Sequence, residues 1–175
     1  MARAFVAVGS NIEPARNVKE ALRLLAARVR VVGISTVYRT KPLERPEQED
    51  YYNCVVEVET DAPPLALRSG TLRKTEEALG RERTGDKWAP RTIDLDLIAY
   101  EGVEMKTESL TLPDPEIWHR PFLALPLAEL APELVLTGET RVRAVAQTMD
   151  GSGMTPLIEY TERLRRDLRN EHPEG

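Results

Sequence analysis

Residues 92–100 read "TIDLDLIAY", from Thr92 to Tyr100, a run as apolar as a buried strand except for two carboxylates, Asp94 and Asp96, set two residues apart. Strand side chains alternate, so Thr92, Asp94, Asp96 and Ile98 are expected on one face and Ile93, Leu95, Leu97 and Ala99 on the other, the core face. The strand rise separates the two aspartate Cα atoms by roughly 6.5 Å, close enough for both heads to converge on one site. Two like charges that converge are unfavourable unless cations neutralise them or one takes up a proton. Mg²⁺ meets that requirement, because it takes oxygen ligands, keeps several waters and is held by one or two carboxylates plus substrate phosphates. By itself an Asp-x-Asp pair is equally compatible with a solvated strand face.

The residues just before the strand bear on that choice. Arg81, Arg83, Lys87 and Arg91 outnumber Glu82 and Asp86 there, and Pro90 restricts Ala89 to extended conformations on the approach to Arg91. A cationic loop beside paired carboxylates suits a polyphosphate, since phosphoryl transfer is mostly positioning and stabilisation of charge on oxygens. Arginine serves this through its bidentate fork. Surface ion pairs among Glu82, Arg83, Asp86 and Lys87 are the competing explanation. The segment "GRERTGDKW" from Gly80 misses the P-loop pattern: Asp86 separates Gly85 from Lys87, no Ser or Thr follows the lysine, and a helix precedes it. There is no G-x-G-x-x-G fingerprint and no protein-kinase catalytic loop.

Working outward, Arg3–Val8 reads as a strand, Pro14–Val29 as a helix with Val18, Ala21, Leu22, Leu25 and Val29 at helical spacing, and 31–40 and the run from Asn53 as two more strands. A second helix is expected to end at Gly80, a hairpin to turn at Glu101-Gly102, and a short helix to span Phe122–Leu130. The order β-α-β-β-α-β predicts a ferredoxin-like α+β sandwich, a mainly antiparallel sheet with helices on its faces, two of them covering one face. A single domain over residues 1–175 is expected, and the charged tail from about 159 reads as a solvated terminal helix with a frayed end.

Composition narrows the class. The 175 residues carry 24 basic and 29 acidic side chains, a net charge of −5, which argues against a nucleic-acid binder held by bulk electrostatics. A chain of this length buries roughly 70% of its unfolded surface and needs no disulfide to fold. Cys54 is the single cysteine, and the two histidines, His119 and His172, offer no zinc-type spacing, so a reducing, cytoplasmic setting is expected. Only five apolar residues lie between Arg3 and Gly9, and "FLALPLAELA" is interrupted by Pro126 and Glu129, so neither a signal peptide nor a membrane span is expected.

A second constellation combines aromatic faces and amide edges: "YRTKPL" at 38–43, "QEDYYN" at 48–53, Trp88 and Phe122. Such groups can sandwich a planar heterocycle and hydrogen-bond its rim. Tyr51 and Asn53, two apart at a strand start, are expected to face the same way. On the residues alone, another two-metal nucleotide phosphotransferase or hydrolase, or a non-catalytic interaction module on the same fold, remains open.

Five blocks resemble the hydroxymethyldihydropterin pyrophosphokinase family: "VGSN" at 8–11, "YRTKPL", "QEDYYNCVV", "EEALGRERTGDKWAPRTIDLDLIAY" and "LTLPDPEIWHRPFLALPLAELAPE", in order over roughly residues 3–135. The resemblance implies transfer of the pyrophosphoryl group of ATP to the hydroxymethyl group of a reduced pterin in folate biosynthesis, giving AMP. It implies two Mg²⁺ ions on Asp94 and Asp96, with Arg81 and Arg91 stabilising the transferring charge. Glu76, Arg83, Trp88, Ile98, Asp114 and Arg120 would complete the ATP side. Thr40, Leu43, Tyr51, Asn53 and Phe122 would form the pterin side, with Trp88 closing over it and Asp94 reaching its hydroxyl. Loops 41–50 and 80–89 are expected to close over the substrates, in a monomer that binds neither nucleic acid nor membrane. One departure stands out: "PDP" at 113–115 puts Asp114 where the family usually has a histidine.

Overall fold

The structure is a computed structural model and describes residues 1–43, 45–80 and 92–171. Its centre is β1 (Ala2–Ser10), in which every residue from Ala4 to Ser10 is buried. A strand with partners on both edges and cover on both faces has no solvated side, and the unbroken run "AFVAV" fits that position. β1 pairs antiparallel with β4 (Tyr51–Thr60) on one side and with β5 (Asp94–Tyr100) on the other. β2 (Arg30–Ile34) and β3 (Tyr38–Thr40) lie end to end along the far edge of β4, and β10 (Thr155–Pro156) extends the sheet beyond β3. Since α1 (Pro14–Ala26) connects β1 to β2 while β4 is inserted between them, the core has the split β-α-β order of the expected ferredoxin-like sandwich.

Each sheet face carries its own core. On one, Val6, Val8, Val56, Val58, Leu95 and Leu97 meet Val18, Ala21, Leu22 and Leu25 of α1. The same cluster takes in Leu67 and Leu72 from a helical run made of α2 (Pro64–Ala66), a π-helical stretch (Leu67–Leu72) and α3 (Arg73–Ala78). On the other face, Phe5, Ala7, Val55 and Ile98 pack under Leu123, Ala124 and Leu127 of α4 (Pro121–Leu130). α5 (Val142–Ala146) and the small β8–β9 hairpin (Val135–Thr137, Thr140–Arg141) extend that second cluster. Both faces therefore carry helices, as expected, with α1 and the α2–α3 run sharing one of them.

Several expectations change in detail. The segment 31–40 is two strands, because residues 35–37 leave the ladder between β2 and β3. A register shift at Phe5/Val6 makes Ile98 an extra residue opposite β1, and it turns Ala99 into the second core, away from Leu95 and Leu97. A turn does follow β5, with Gly102 at φ 76° and Val103 N–H donating to Tyr100 O at 3.0 Å. The strand after it, β6 (Met105–Lys106), pairs with β7 (Thr111–Leu112), so the expected hairpin partner is replaced by a local one.

The tail is also docked. α6 (Ile158–Glu171) buries Thr161 and Leu164 against the first core. Its reason lies at the strand break, where backbone groups without ladder partners need others: Arg165 donates through Nε and Nη2 to Ile34 O at 3.0 and 2.7 Å, and Val37 N–H donates to Thr161 Oγ1 at 2.9 Å. Arg165 apart, the charged side chains of the helix are exposed or half-buried on its outer face. Leu22, fully buried between α1 and the sheet, reports on this core: Leu22→Ala is expected to lower unfolding free energy by about 2–5 kcal/mol in urea titration.

Candidate functional site

The two edges of β1 bring the site together. Gly9 lies directly opposite Asn53 of β4 on one side and Asp94 of β5 on the other, and Ala7 lies between Val55 and Asp96 in the same way. Directly opposed residues share a face, so Tyr51, Asn53, Gly9, Asp94 and Asp96 form one floor at the C-terminal end of β1. Thr40, opposite Tyr51, adds the next strand. The floor opens into a cavity of about 170 Å³ lined by Thr40, Leu43, Tyr51, Asn53, Asp94, Asp96 and Phe122 among others. Pockets for drug-sized ligands run to roughly 300–1,000 Å³, and this one fits a smaller planar group.

Each wall is held by a specific bond. Asn53 Nδ2 donates to Thr40 Oγ1 at 2.6 Å, which orients the amide across the floor. A Cβ on Gly9 would stand 2.9 Å from Asn53 Oδ1, so glycine is what lets that amide lie flat over β1. Ser10, wholly buried, has its hydroxyl 2.6 Å from Thr92 O, tying the end of β1 to the residue that leads into β5. Asn11 Nδ2 donates to Gln48 Oε1 at 3.0 Å and anchors the 41–50 loop, from which Lys41, Pro42, Arg45 and Gln48 also line the cavity.

Among the described residues the aspartate strand is an edge, and one side chain and one backbone amide secure it. Glu76 of α3, itself buried, accepts Leu95 N–H on Oε2 at 3.0 Å between the two aspartates. Farther along, Asp114 N–H donates to Ile98 O at 2.8 Å. The Asp114 carboxylate in turn accepts Glu116 N–H at 2.9 Å and caps a 3₁₀ turn, Pro115–Trp118. Partial burial pushes the Asp114 carboxyl above its ordinary range, opposed by the Glu116 N–H bond and assisted by the Glu116 charge. Arg120 sits at the start of α4 with its Nε on Glu116 Oε2 at 2.8 Å.

The expected residues thus separate into groups. Thr40, Leu43, Tyr51, Asn53, Phe122, Asp94 and Asp96 line one cavity, and Tyr51 and Asn53 face the same way. Glu76 is bonded to the aspartate strand, Ile98 is fully buried beneath α4, and Asp114 and Arg120 flank the same end of β5 and α4. Arg81, Arg83, Trp88 and Arg91, with Lys87 and most of the 80–89 loop, lie outside the described residues. Gly9 and Arg45 also line the cavity and Ser10 ties β1 to Thr92, three positions that residue chemistry alone did not single out. For Gly9 and Ser10 the signal was the glycine-serine-asparagine sequence directly after a buried strand.

No group of three or more His, Cys, Asp or Glu side chains placed to hold a metal occurs among the described residues. The donors present are two carboxylates on one strand face, a set that fits a cation drawing its other ligands from water and phosphate. It does not fit one needing a closed protein cage. Burial pushes the Cys54 thiol up to about 12, reinforced by Glu129, so it carries no nucleophilic role.

Comparison with known proteins identifies the family. A family model described as 7,8-dihydro-6-hydroxymethylpterin-pyrophosphokinase matches residues 5–132. The chain is 41% identical over 157 residues to the 2-amino-4-hydroxy-6-hydroxymethyldihydropteridine pyrophosphokinase of Methylorubrum extorquens, covering 88% of this chain and 98% of that protein. It is 36% identical over 139 residues to the enzyme of the same name from Haemophilus influenzae, covering 78% and 86%. Among solved structures, an HPPK-DHPS protein in complex with substrates superposes with a TM-score of 0.65 at 13% identity, over 84% of this chain and 44% of that one, which bears on fold alone. This chain spans a little under half of that larger protein.

Two outcomes follow from the geometry. Gly9→Ala is expected to displace the Asn53 amide from Thr40 and to weaken ligand binding in the cavity by about tenfold, the worth of one hydrogen bond at the upper end, measured by calorimetric titration. Asp114 has a raised folded-state pKa, so its contribution favours folding below its unfolded pKa and is lost as pH rises through the folded value. Asp114→Asn keeps the acceptor for Glu116 N–H and is expected to gain stability relative to the parent as pH is raised from about 4 to 7, in parallel urea titrations.

Proposed function

The chain belongs to the 7,8-dihydro-6-hydroxymethylpterin-pyrophosphokinase family, ATP-dependent enzymes of folate biosynthesis, and from that premise we propose how its residues divide the reaction. The observation that carries the reading is that Asp94 and Asp96 line the same small cavity as Thr40, Asn53, Tyr51 and Phe122. A heterocycle seated there has its substituent beside the carboxylates.

Tyr51 and Phe122 supply aromatic faces for the pterin ring, and Asn53, oriented by Thr40, supplies an amide for its edge. Asp94 and Asp96 would hold Mg²⁺, which would supply neutralisation of phosphate charge. Arg81, Arg83 and Arg91 approach the phosphates from the loop before β5. Arg120, with Asp114 beside it, approaches from the start of α4. The pterin hydroxyl oxygen forms its bond to the β-phosphorus of ATP as the bond from that phosphorus to the α-bridging oxygen breaks, and AMP leaves. Asp94, opposite Gly9 in the floor, orients the hydroxyl and accepts its proton. Loops 41–50 and 80–89, the latter bearing Trp88, exclude water from the transfer. Glu76 serves through the strand, by fixing Leu95 between the aspartates.

The reading takes the enzyme to work as a cytoplasmic monomer without nucleic acid. Among the described residues no helix is long and apolar enough to cross a membrane. Asp96→Ala is expected to reduce pterin-dependent AMP formation by at least about a hundredfold, as loss of a group that stabilises transition-state charge does. Near-parental turnover would overturn the metal assignment, and AMP or ADP release that ignores the pterin would point to a nucleotide hydrolase.

A further inference from the structure

Residues beyond 132 lie outside the family match, yet they hold one wall of the cavity. The sheet is interrupted at 35–37, directly before β3, the three-residue strand that ends in Thr40. Such a short strand has little ladder of its own. Its outer edge is paired by β10, Thr155 opposite Arg39 and Pro156 opposite Tyr38. The break before it is bridged by the C-terminal segment at three backbone groups: Leu157 N–H donates to Val37 O at 2.8 Å, Val37 N–H to Thr161 Oγ1 at 2.9 Å, and the Arg165 guanidinium to Ile34 O.

We infer that the β10–α6 segment is a positioning element for the pterin side of the cavity, with Thr161 and Arg165 fixing the strand break so that β3 presents Thr40 to Asn53. The inference rests on the reading of that cavity as the pterin pocket. Val37 precedes Thr40 by three residues, about 10 Å of extended chain, so a shift at the break is passed directly along β3. Thr40 then bonds Asn53 Nδ2 at 2.6 Å, and Lys41, Pro42 and Leu43 of the cavity wall follow at once. Thr161 is 2% exposed in an otherwise apolar contact. A helix that only covered the core would be served by an aliphatic residue at that position; the hydroxyl is used because it accepts Val37 N–H while donating to Leu157 O at 2.8 Å. Tyr160 adds a second hold, its hydroxyl donating to Ala15 O at 2.6 Å and its ring meeting Tyr52 edge-on at 5.4 Å.

The test compares the full-length protein with Thr161→Val, which keeps the shape and removes the acceptor, and with Thr161→Ser, which keeps the hydroxyl. Steady-state rates are measured with pterin varied at saturating Mg-ATP and the reverse. For Thr161→Val the expected result is a pterin KM raised about tenfold, with kcat and the KM for ATP within about twofold of the parent. Thr161→Ser is expected to restore the pterin KM. A helix that only stabilises the fold would lower the active fraction and thus kcat, leaving the pterin KM unchanged; that result, or failure of the serine variant to restore KM, overturns the inference. Should Thr161→Val not fold, Arg165→Met takes its place under the same criteria. A parent protein that forms no AMP in response to pterin overturns the pocket reading together with the inference. An active parent with an indifferent Thr161→Val overturns the inference alone.

Discussion

Everything at the site depends on β1 having a paired strand on each side. Because Gly9 is opposite Asn53 across one ladder and Asp94 across the other, a polar amide and a carboxylate are placed on one face at a distance fixed by backbone hydrogen bonds. Side-chain flexibility has little part in setting it. Sheet spacing of roughly 4.8 Å per strand sets the separation between the two halves of the site. The residue between them must be small, since its Cβ would meet the amide. Two cores, one on each face, make this register costly to change, because a slip by one residue would exchange their side chains.

A second level of order comes from polar groups outside the ladders that serve backbone groups. Glu76 on Leu95 N–H, Ser10 on Thr92 O, Asp114 N–H on Ile98 O and Arg165 on Ile34 O each hold a strand end or a strand break near the cavity. Buried backbone groups outside ladders demand partners, and here the partners come from elements far away in sequence. The site is accordingly a junction of four chain segments, and its residues need not be neighbours in the chain to be mechanically linked.

Much of this could be read from sequence. The shared face of Asp94 and Asp96 follows from strand alternation, and that of Tyr51 and Asn53 likewise, because both depend only on local period. The split β-α-β order follows from the succession of patterns. What escaped was non-local. The Thr40 to Asn53 bond requires the register of two strands, the displacement of Ala99 requires a bulge whose partner is β1, and the docking of α6 rests on Thr161 and Leu164 within a strongly charged segment. A tail rich in Arg and Glu has the composition of a solvated helix, and nothing local marks one threonine as the partner of a backbone amide more than a hundred residues earlier. The pterin itself was supplied by family likeness, since stacking faces and an amide suit many heterocycles.

The aspartate strand is also the last strand of its sheet. An open strand edge invites a second chain to add itself there, and proteins blunt such edges in several ways. Here the blunting groups are Glu76, seated on the Leu95 amide, and the Asp114 backbone, seated on the Ile98 carbonyl. The two contacts that steady the carboxylate strand therefore also occupy two of its outward valences, making it a poorer template for strand-to-strand association. In this chain, keeping the aspartate strand in register and blunting its edge against strand addition are served by the same pair of bonds.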